Sequence, residues 1–291
     1  MEITFLLEQI VNGLVLSGYY LLIALGLSLI FSVGGIVNLA HGAFYAIGAY
    51  VSLEIIKFSG FGVSIFVTPM LVALLGILFE RYLLRRFYTA DPILSLLVTF
   101  GLAMVTEQAI RMIWGSAPLV SNMPVEFKGN VILGDFMFSK YRLFILTVVI
   151  LVMSGIWLLL HKTMFGRVVR AGVQKPDMVA VLGIKLQPYM TAIVMLGVAT
   201  AALGGVLFGP IAIVHPAMGT EIMTVAFVVV VIGGLGSFWG VVLAAVLVGV
   251  VRGITIFFAP AAGEASMYIL MFLVLMFRPR GLLGERIERF E

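Results

Sequence analysis

Two pairs of polar residues stand out because apolar sequence surrounds them. Asn38 and His41 are spaced i, i+3, which on a helix would place both side chains on one face. They are candidates for contacting a substrate or controlling a gate; alternatively, they cap broken helices or bond to neighbouring backbone. Glu107 and Arg111 are spaced i, i+4 with the acidic residue first, the favourable order for a helical ion pair. If this stretch crosses a membrane, its ionisable residues are candidates for function, because such residues are rare there. Alternatively, a pair near the end of a membrane-spanning helix can reach the membrane–water interface.

Several residue patterns that support enzymatic chemistry are missing from this sequence. There is no cysteine, and Asn38, His41 and Glu54 do not make a convincing metal site, which usually needs three or four convergent ligands. The sequence contains no Gly-Lys dipeptide, so the phosphate-binding P-loop is absent, and neither G-x-S-x-G nor H-E-x-x-H occurs. We predict that the chain is not an enzyme and binds no cofactor. Any ATP that drives it must be hydrolysed by another subunit.

The composition indicates a membrane protein. Hydrophobic residues make up 62% of the chain and charged residues 11%, with a mean hydropathy of +1.19. Soluble domains carry about a quarter charged residues. The basic residues lie between apolar stretches rather than on one soluble face, which argues against nucleic-acid binding. We therefore expect a single transmembrane domain over residues 1–291, embedded in a lipid bilayer.

The apolar stretches predict an all-α, polytopic helical bundle. A helix that crosses the bilayer core needs about 20 apolar residues. Six stretches are long enough and three are shorter, which gives eight or nine membrane segments. The long stretches are Ile10–Val33, Gly62–Phe79, Ile93–Met112, Leu143–Leu160, Tyr189–Ile213 and Phe238–Phe258, and the short ones are Phe44–Ile56, Ile222–Ile232 and Met267–Phe277.

Basic residues predict the orientation of the bundle, because cytoplasmic loops are rich in lysine and arginine. Two segments separate the first and second clusters and four separate the second and third, so all three can lie on one side, which favours nine segments over eight. Residues 115–142 then lie outside, together with the N-terminus, and residues 162–187 lie in the cytoplasm. The clusters are Arg81, Arg85 and Arg86; Lys162, Arg167, Arg170, Lys175 and Lys185; and Arg278, Arg280, Arg286 and Arg289.

Two features are expected on the outer side. Turn signals at Lys128-Gly129-Asn130 and Gly134-Asp135 within Val125–Phe138 predict a small β-hairpin. His215-Pro216 begins a polar loop, in which Thr220 is expected to cap the short helix that follows. A role of this loop at the outer entrance is the alternative.

Glycine pairs interrupt apolar sequence near both ends of the chain. Gly34-Gly35 and Gly233-Gly234 each end an apolar stretch, with small or polar residues close behind. Paired glycine-broken segments in two halves of a transporter point to its translocation path. Alternatively, these are tight cytoplasmic turns or helix-packing surfaces. The candidate path residues are Gly34, Gly35, Asn38, His41, Gly233, Gly234, Gly236 and Ser237.

The cytoplasmic loop 162–187 predicts a short helix outside the membrane. Pro176 suits a first helical position and Asp177 the positive end of a helix, while Gly183 follows an apolar-rich turn and suits the end. This helix could either be held by a partner protein or lie in the lipid headgroups. Residue spacing alone does not separate the two.

Four motifs in register over nearly the whole chain resemble the branched-chain amino acid permeases of ABC importers, of the LivH type. The first is Gly26-Leu27-Ser28-Leu29-Ile30-Phe31 followed by residues 34–44. The others are Phe165-Gly166-Arg167 with Arg170-Ala171 and Leu182-Gly183-Ile184; Gly233-Gly234-Leu235-Gly236-Ser237 with Gly240; and residues 277–284. The chain departs from related loops at Gly172, Gln174 and Pro176, where alanine and acidic residues are usual.

The resemblance implies a type II ABC-importer fold in the bacterial inner membrane. Two homologous permease subunits would pair, two ATPases would dock below and bind the ATP, and a periplasmic binding protein would deliver substrate. Residues 170–184 would form the coupling loop. Branched-chain or related amino acids are the implied substrates; urea, short amides or aromatic acids are the alternative, and a stand-alone secondary transporter is the rival class. The coupling-loop candidates are Arg167, Arg170, Ala171, Asp177, Val179, Leu182 and Gly183.

Overall fold

The computed structural model describes residues 2–88, 91–121, 123–133 and 136–284, and it forms a helical bundle with one small hairpin. Short 3-10 turns lie at Leu84–Phe87, Val125–Phe127 and Pro260–Ala262. The hairpin strands are β1 Asn130–Leu133 and β2 Phe136–Ser139. The helices are α1 Glu2–Gly34, α2 His41–Tyr82, α3 Pro92–Trp114, α4 Lys140–Lys162, α5 Met164–Gln174, α6 Pro176–Val181, α7 Gln187–Phe208, α8 Met218–Gly233, α9 Phe238–Phe258 and α10 Gly263–Phe277.

Helix α2 is a pair of antiparallel arms rather than one long rod. The helix is broken at Gly60, whose φ of 79° and ψ of 170° are not helical and suit glycine. In a straight helix, the rings of Phe44 and Phe79 would lie about 50 Å apart. Their centroids lie 5.2 Å apart, so the chain reverses at Gly60, and residues 41–59 and 61–82 form two segments side by side.

The described helices confirm the polytopic bundle. Seven described helical stretches are long and apolar enough to span a membrane, the last of them being α10 together with the 3-10 turn before it. Counting the two arms of α2 separately, and adding the 16-residue apolar helix α8, gives nine segments among the described residues. Helix α8 is only about 24 Å long, shorter than the bilayer core, which matches the prediction that this stretch cannot cross alone.

The predicted hairpin is present. Strands β1 and β2 are antiparallel, with Asn130 opposite Ser139 and Leu133 opposite Phe136. Gly134 and Asp135 lie outside the described residues, as do Arg286 and Arg289 of the third basic cluster.

The described parts of the three basic clusters lie at one end of the bundle, called here the basic end. The Arg85 guanidinium donates a hydrogen bond to Thr191 Oγ1 at the start of α7, 3.1 Å away. The Tyr88 ring packs on Gly34, the last residue of α1, and the backbones of Gly234 and Gly284 touch. The common location agrees with the arrangement predicted from charge, which assigns this end to the cytoplasm.

Helix α7 forms the centre of the bundle. A Cβ at Gly48 would lie 2.6 Å from Ala202 Cα, and one at Gly76 would lie 3.0 Å from Val198 Cβ. Both arms of α2 therefore pack against α7 at positions where glycine lets the helices approach closely, as is common in membrane bundles.

Candidate translocation site

The break between α1 and α2 runs into the interior of the bundle. Residues 35–38 are not helical, so Asn38 precedes the helix, and the expectation that Asn38 and His41 share a helical face is wrong. The His41 Nε2–H donates to the Ile23 carbonyl oxygen, 3.2 Å away. Because Ile23 lies about 16 Å along α1 from its end at Gly34, α2 begins deep inside the bundle and not at its surface.

Asn38 and His41 are fully buried and serve the backbone of this break. Asn38 Oδ1 accepts from the Ala40 N–H at 3.1 Å, and the Leu39 N–H donates to Thr99 Oγ1 at 3.1 Å. Both side chains bond to backbone groups, which matches the alternative of bonding to neighbouring backbone; neither caps α2, whose N-cap is Ala40 without a side-chain bond. Asn38 Nδ2 and His41 Nδ1 have no hydrogen-bond partner among the described residues.

A second break, at residues 209–217, lies between α7 and α8. In this stretch Val214 forms an antiparallel bridge with Leu119. The next helix begins at Met218, and Gly219 packs directly on Gly42, since a Cβ at Gly219 would lie 2.6 Å from the Gly42 carbonyl oxygen. The second residues of α2 and α8 therefore meet inside the bundle.

The sequence compared the break after Gly34-Gly35 with the one at Gly233-Gly234. In the structure, its partner inside the bundle is instead the break at residues 209–217. Gly234 and Gly236 have φ of 99° and 82°, and Ser237 Oγ accepts from the Gly240 N–H at 3.2 Å. The segment from Gly233 to Ser237 is thus a tight turn between α8 and α9, with Gly233 packed on Gly240. The turn interpretation describes this segment, whereas the break after Gly34-Gly35 leads into the interior. The missed partner was signalled by Gly209-Pro210 and His215-Pro216, which break an apolar stretch.

A cleft of about 230 Å³ opens between the first arm of α2, α3 and α8. Its walls are mostly apolar, and the polar side chains are three threonines and Glu107. Thr220, Thr224 and Phe227 line it from α8 at i, i+4 and i+7 spacing, which is the sequence signal for one helical face that could have identified them. The lining residues are Leu39, Ala43, Ala46, Phe100, Ala103, Met104, Thr106, Glu107, Ile110, Pro216, Gly219, Thr220, Met223, Thr224 and Phe227.

Glu107 bonds to both sides of this cleft. Its Oε1 accepts from Arg111 Nη2 at 2.6 Å and its Oε2 accepts from Thr220 Oγ1 at 3.1 Å. The Glu107–Arg111 pair predicted from sequence is confirmed. The predicted cap at Thr220 is wrong, because α8 begins two residues earlier with Ala217 as its N-cap and Thr220 faces Glu107 instead. Glu107 lies about 10 Å along α3 from its end at Trp114.

A second carboxylate pairs with a histidine beside the cleft. His215 Nε2 lies 3.0 Å from Glu221 Oε1, and Nδ1–H donates to the Ile213 carbonyl oxygen at 3.1 Å. Burial of the imidazole acts to lower the pKa of His215. The bonds to Glu221 and Ile213, with the nearby Glu107 carboxylate, outweigh burial and raise this pKa above its ordinary value of 6.5.

At the basic end, residues 162–187 form two helices, α5 and α6. The sequence predicted α6, with Pro176 as its first residue and Gly183 at positive φ (74°) after it. It missed α5, which Thr163 caps by accepting from the Gly166 N–H at 3.3 Å. Val179 is buried, whereas Met178, Val181 and Leu182 are 62%, 84% and 75% exposed. These three residues are called here the α6 tip.

The base of this loop is fixed to the bundle. Arg170 donates to the Leu160 carbonyl oxygen at the end of α4, and Gly166 packs on the same residue. Gly172 packs on Leu186, just before α7. Arg167, Ala171 and Asp177 are exposed. The loop therefore presents an apolar tip on an anchored base.

A buried charge lies where this loop meets the bundle. The side chain of Glu80 is 1% exposed, and Oε2 accepts from Arg85 Nη2 at 3.0 Å and from Thr191 Oγ1 at 2.8 Å. These bonds join the second arm of α2 to the first turn of α7. Among the described residues, no group of three or more histidine, aspartate or glutamate side chains could hold a metal ion.

Helices that break inside a polytopic bundle, beside a mostly apolar cleft with one carboxylate, are typical of a membrane transport permease. The chain belongs to the family described as the permease component of the branched-chain amino acid transport system, whose profile matches residues 9–277. It is therefore a multi-pass transport subunit and not an enzyme.

Relatives with this description match over nearly the full chain. The high-affinity branched-chain amino acid transport system permease protein BraD of Pseudomonas aeruginosa is 29% identical, over 98% of this chain and 97% of that protein. The LivH permease protein of Escherichia coli K12 is 26% identical over the same shares. A probable LivH protein of Methanocaldococcus jannaschii is 25% identical, over 95% and 92%. No solved structure shows a significant match.

Proposed function

We propose that this chain is one of two homologous permease subunits of an ATP-driven importer that moves branched-chain amino acids across the bacterial inner membrane. Two ABC ATPases bind the ATP and dock at the basic end, and a periplasmic binding protein delivers substrate at the opposite end. The relatives BraD and LivH, which are high-affinity branched-chain amino acid transport permeases, support the substrate class.

The α6 tip is the observation that carries the docking proposal. Val181 and Leu182 are 84% and 75% exposed on a six-residue helix at the basic end. Three apolar side chains on a loop outside the bundle bury no area unless something covers them. The anchored base favours a protein partner, because Arg170 and Gly172 hold the loop against α4 and residue 186. A movement of the α6 tip would therefore pass directly to α7.

The double substitution Val181→Asp with Leu182→Asp tests this proposal in the importer reconstituted in liposomes. Both side chains are exposed, so the charges should leave the fold intact while removing the apolar contact. We expect leucine uptake driven by ATP to fall by at least about tenfold, as truncation of interface anchors does, with loss of co-purified ATPase. Val125→Asp, at an exposed valine (75%) outside the basic end, is the control for ATPase recovery and should retain the ATPase.

Unchanged uptake and ATPase recovery in the double variant would contradict docking at α6. Leucine uptake by this chain alone, without ATP or other subunits, would instead establish a secondary transporter. Uptake of urea, short amides or aromatic acids in preference to leucine, isoleucine and valine would overturn the substrate while leaving the importer.

A further inference from the structure

The cleft between α2, α3 and α8 has the size of a site for one small solute. Its volume of about 230 Å³ is far above the roughly 10–15 Å³ that one water molecule requires by this measure. Phe100, Met104, Ile110, Met223 and Phe227 supply its apolar surface. The flexible thioether side chains of Met104 and Met223 can adapt to branched aliphatic groups of different shape.

One charged side chain, that of Glu107, lines this cleft, and its partner Arg111 lies beside it, one helical turn along α3 and outside the lining residues. The Glu107 carboxylate and the Arg111 guanidinium are 2.6 Å apart, with side chains 19% and 36% exposed. The Thr220 hydroxyl, on the facing helix, donates to the same carboxylate. A carboxylate recognises an ammonium group, and a guanidinium recognises a carboxylate with two parallel hydrogen bonds. Adjacent groups of both kinds match the head of a zwitterion.

A second cavity provides a comparison within the same chain. It has a volume of about 340 Å³, between the two arms of α2 and α3, and is lined by Ala40, Phe44, Ile47, Leu78 and Phe79 among others. Its lining includes the hydroxyl groups of Tyr82 and Thr106 but no charged side chain. Such a cavity offers nothing to a charged amino acid head, although it is the larger of the two.

We infer that the first cleft is a transient site for one amino acid with a branched apolar side chain. Glu107 binds the α-ammonium group, Arg111 binds the α-carboxylate, and the side chain lies among Met104, Met223 and Phe227. The internal pair of Glu107 and Arg111 satisfies both charges when the cleft holds no substrate. The inference rests on the proposed function, since it takes the substrate class from there.

Photo-crosslinking of the complete importer tests the site without altering it. Photo-leucine, a diazirine analogue of leucine, is added to the wild-type complex in liposomes, illuminated, and its positions are mapped by mass spectrometry. We expect label in residues 100–110 and 216–227 that excess leucine removes. Leucine-sensitive label elsewhere in the chain, for example in residues 78–83 of the second cavity, or no leucine-sensitive label at all, would overturn the site.

A matched pair of variants adds a transport measurement. Glu107→Gln removes the charge that binds the ammonium group, and we expect the maximal uptake rate at saturating binding protein to fall by about tenfold or more, as for hydrogen bonds to charged groups. Gln108→Ala, at the exposed neighbour outside the cleft, should stay within about twofold. Recovery of the ATPases with each variant establishes that the importer is assembled.

The outcomes separate the two proposals. Failure of the wild-type importer to take up leucine contradicts the proposed function itself. Normal uptake by both wild type and Glu107→Gln contradicts this site alone.

Discussion

Gly42 and Gly219 pack backbone against backbone at the point where two helices begin inside the bundle. Each is the second residue of its helix, and a Cβ at Gly219 would lie 2.6 Å from the Gly42 carbonyl oxygen. From this contact, the first arm of α2 runs toward Trp114, whose ring lies 5.2 Å from that of Tyr50. Helix α8 runs toward the basic end. The contact thus joins two oppositely directed half-helices beside the cleft.

Substitution of Gly219 by alanine should destabilise this contact. The added methyl group meets backbone, which cannot rotate away, so we expect a loss of about 1–3 kcal/mol in the free energy of unfolding. Thermal unfolding of the purified chain in detergent would measure the change. Gly101→Ala is the matched control, because nothing lies within 4 Å of a Cβ there, and alanine favours a helix. Equal midpoints for the two variants would contradict the close approach.

Because Glu80 is buried, removing Arg85 and neutralising Glu80 should lower the free energy of unfolding by different amounts. Arg85→Ala leaves a carboxylate with 1% exposure without its cation, whereas Glu80→Gln leaves an arginine that is 33% exposed and can turn to water. We expect Arg85→Ala to lower the free energy of unfolding by about 2–3 kcal/mol, which is below the usual range for fully buried pairs. Glu80→Gln should lower it by less.

Thermal unfolding in detergent would compare these variants with Lys57→Ala. Lys57 pairs with Glu54, but the two side chains are 63% and 39% exposed, so its loss should cost no more than about 1 kcal/mol. A smaller effect for Arg85→Ala than for Lys57→Ala would show that Glu80 is not held as described.

The His215–Glu221 pair should make stability depend on pH. The pKa of His215 is raised in the folded chain, so the stabilisation is fully present below its ordinary value of 6.5 and disappears as pH rises through the raised value. Both partners are partly exposed, so the effect should stay within about 1 kcal/mol. His215→Gln should therefore lower the unfolding midpoint more at about pH 5.5 than at about pH 8.5. A larger loss at the higher pH would reverse the assignment.

The orientation can be tested with single cysteines, because the natural chain has none. Lys128 is exposed before the hairpin and Lys175 is exposed between α5 and α6. The positive-inside rule predicts that Lys128→Cys reacts with an impermeant thiol reagent in intact cells, and that Lys175→Cys reacts only after the membrane is opened. The reverse pattern would invert the topology.

Much of the fold could be read from local sequence. The apolar stretches gave the segments because a bilayer imposes both their length and their composition. Pro176 and Gly183 located α6, since proline and glycine have strong positional preferences at helix ends. By contrast, α5 was missed because its six apolar residues are interspersed with two arginines, in a loop too short and too polar to suggest a span.

The site was less accessible to sequence reasoning. Glu107 and Arg111 were recognised as a pair because they are neighbours on one helix. The contribution of Thr220 was assigned to capping, since its bond to Glu107 joins residues 113 positions apart. Likewise, a glycine pair looks the same in sequence whether it forms a tight turn or a break that enters the bundle. The two are distinguished by the long-range bonds of the residues after the pair, such as the bond from His41 to Ile23.

The sequence by itself determined that this protein is a multi-pass helical bundle of eight or nine membrane segments, with three basic clusters that can lie on one side. These properties follow from local hydrophobicity and charge, which act residue by residue against the bilayer. Tertiary structure alone decided that His41 bonds to Ile23, that Gly42 meets Gly219, and that α3 and α8 enclose a cleft. Those relationships depend on packing between segments far apart in the chain, which neither hydropathy nor spacing encodes.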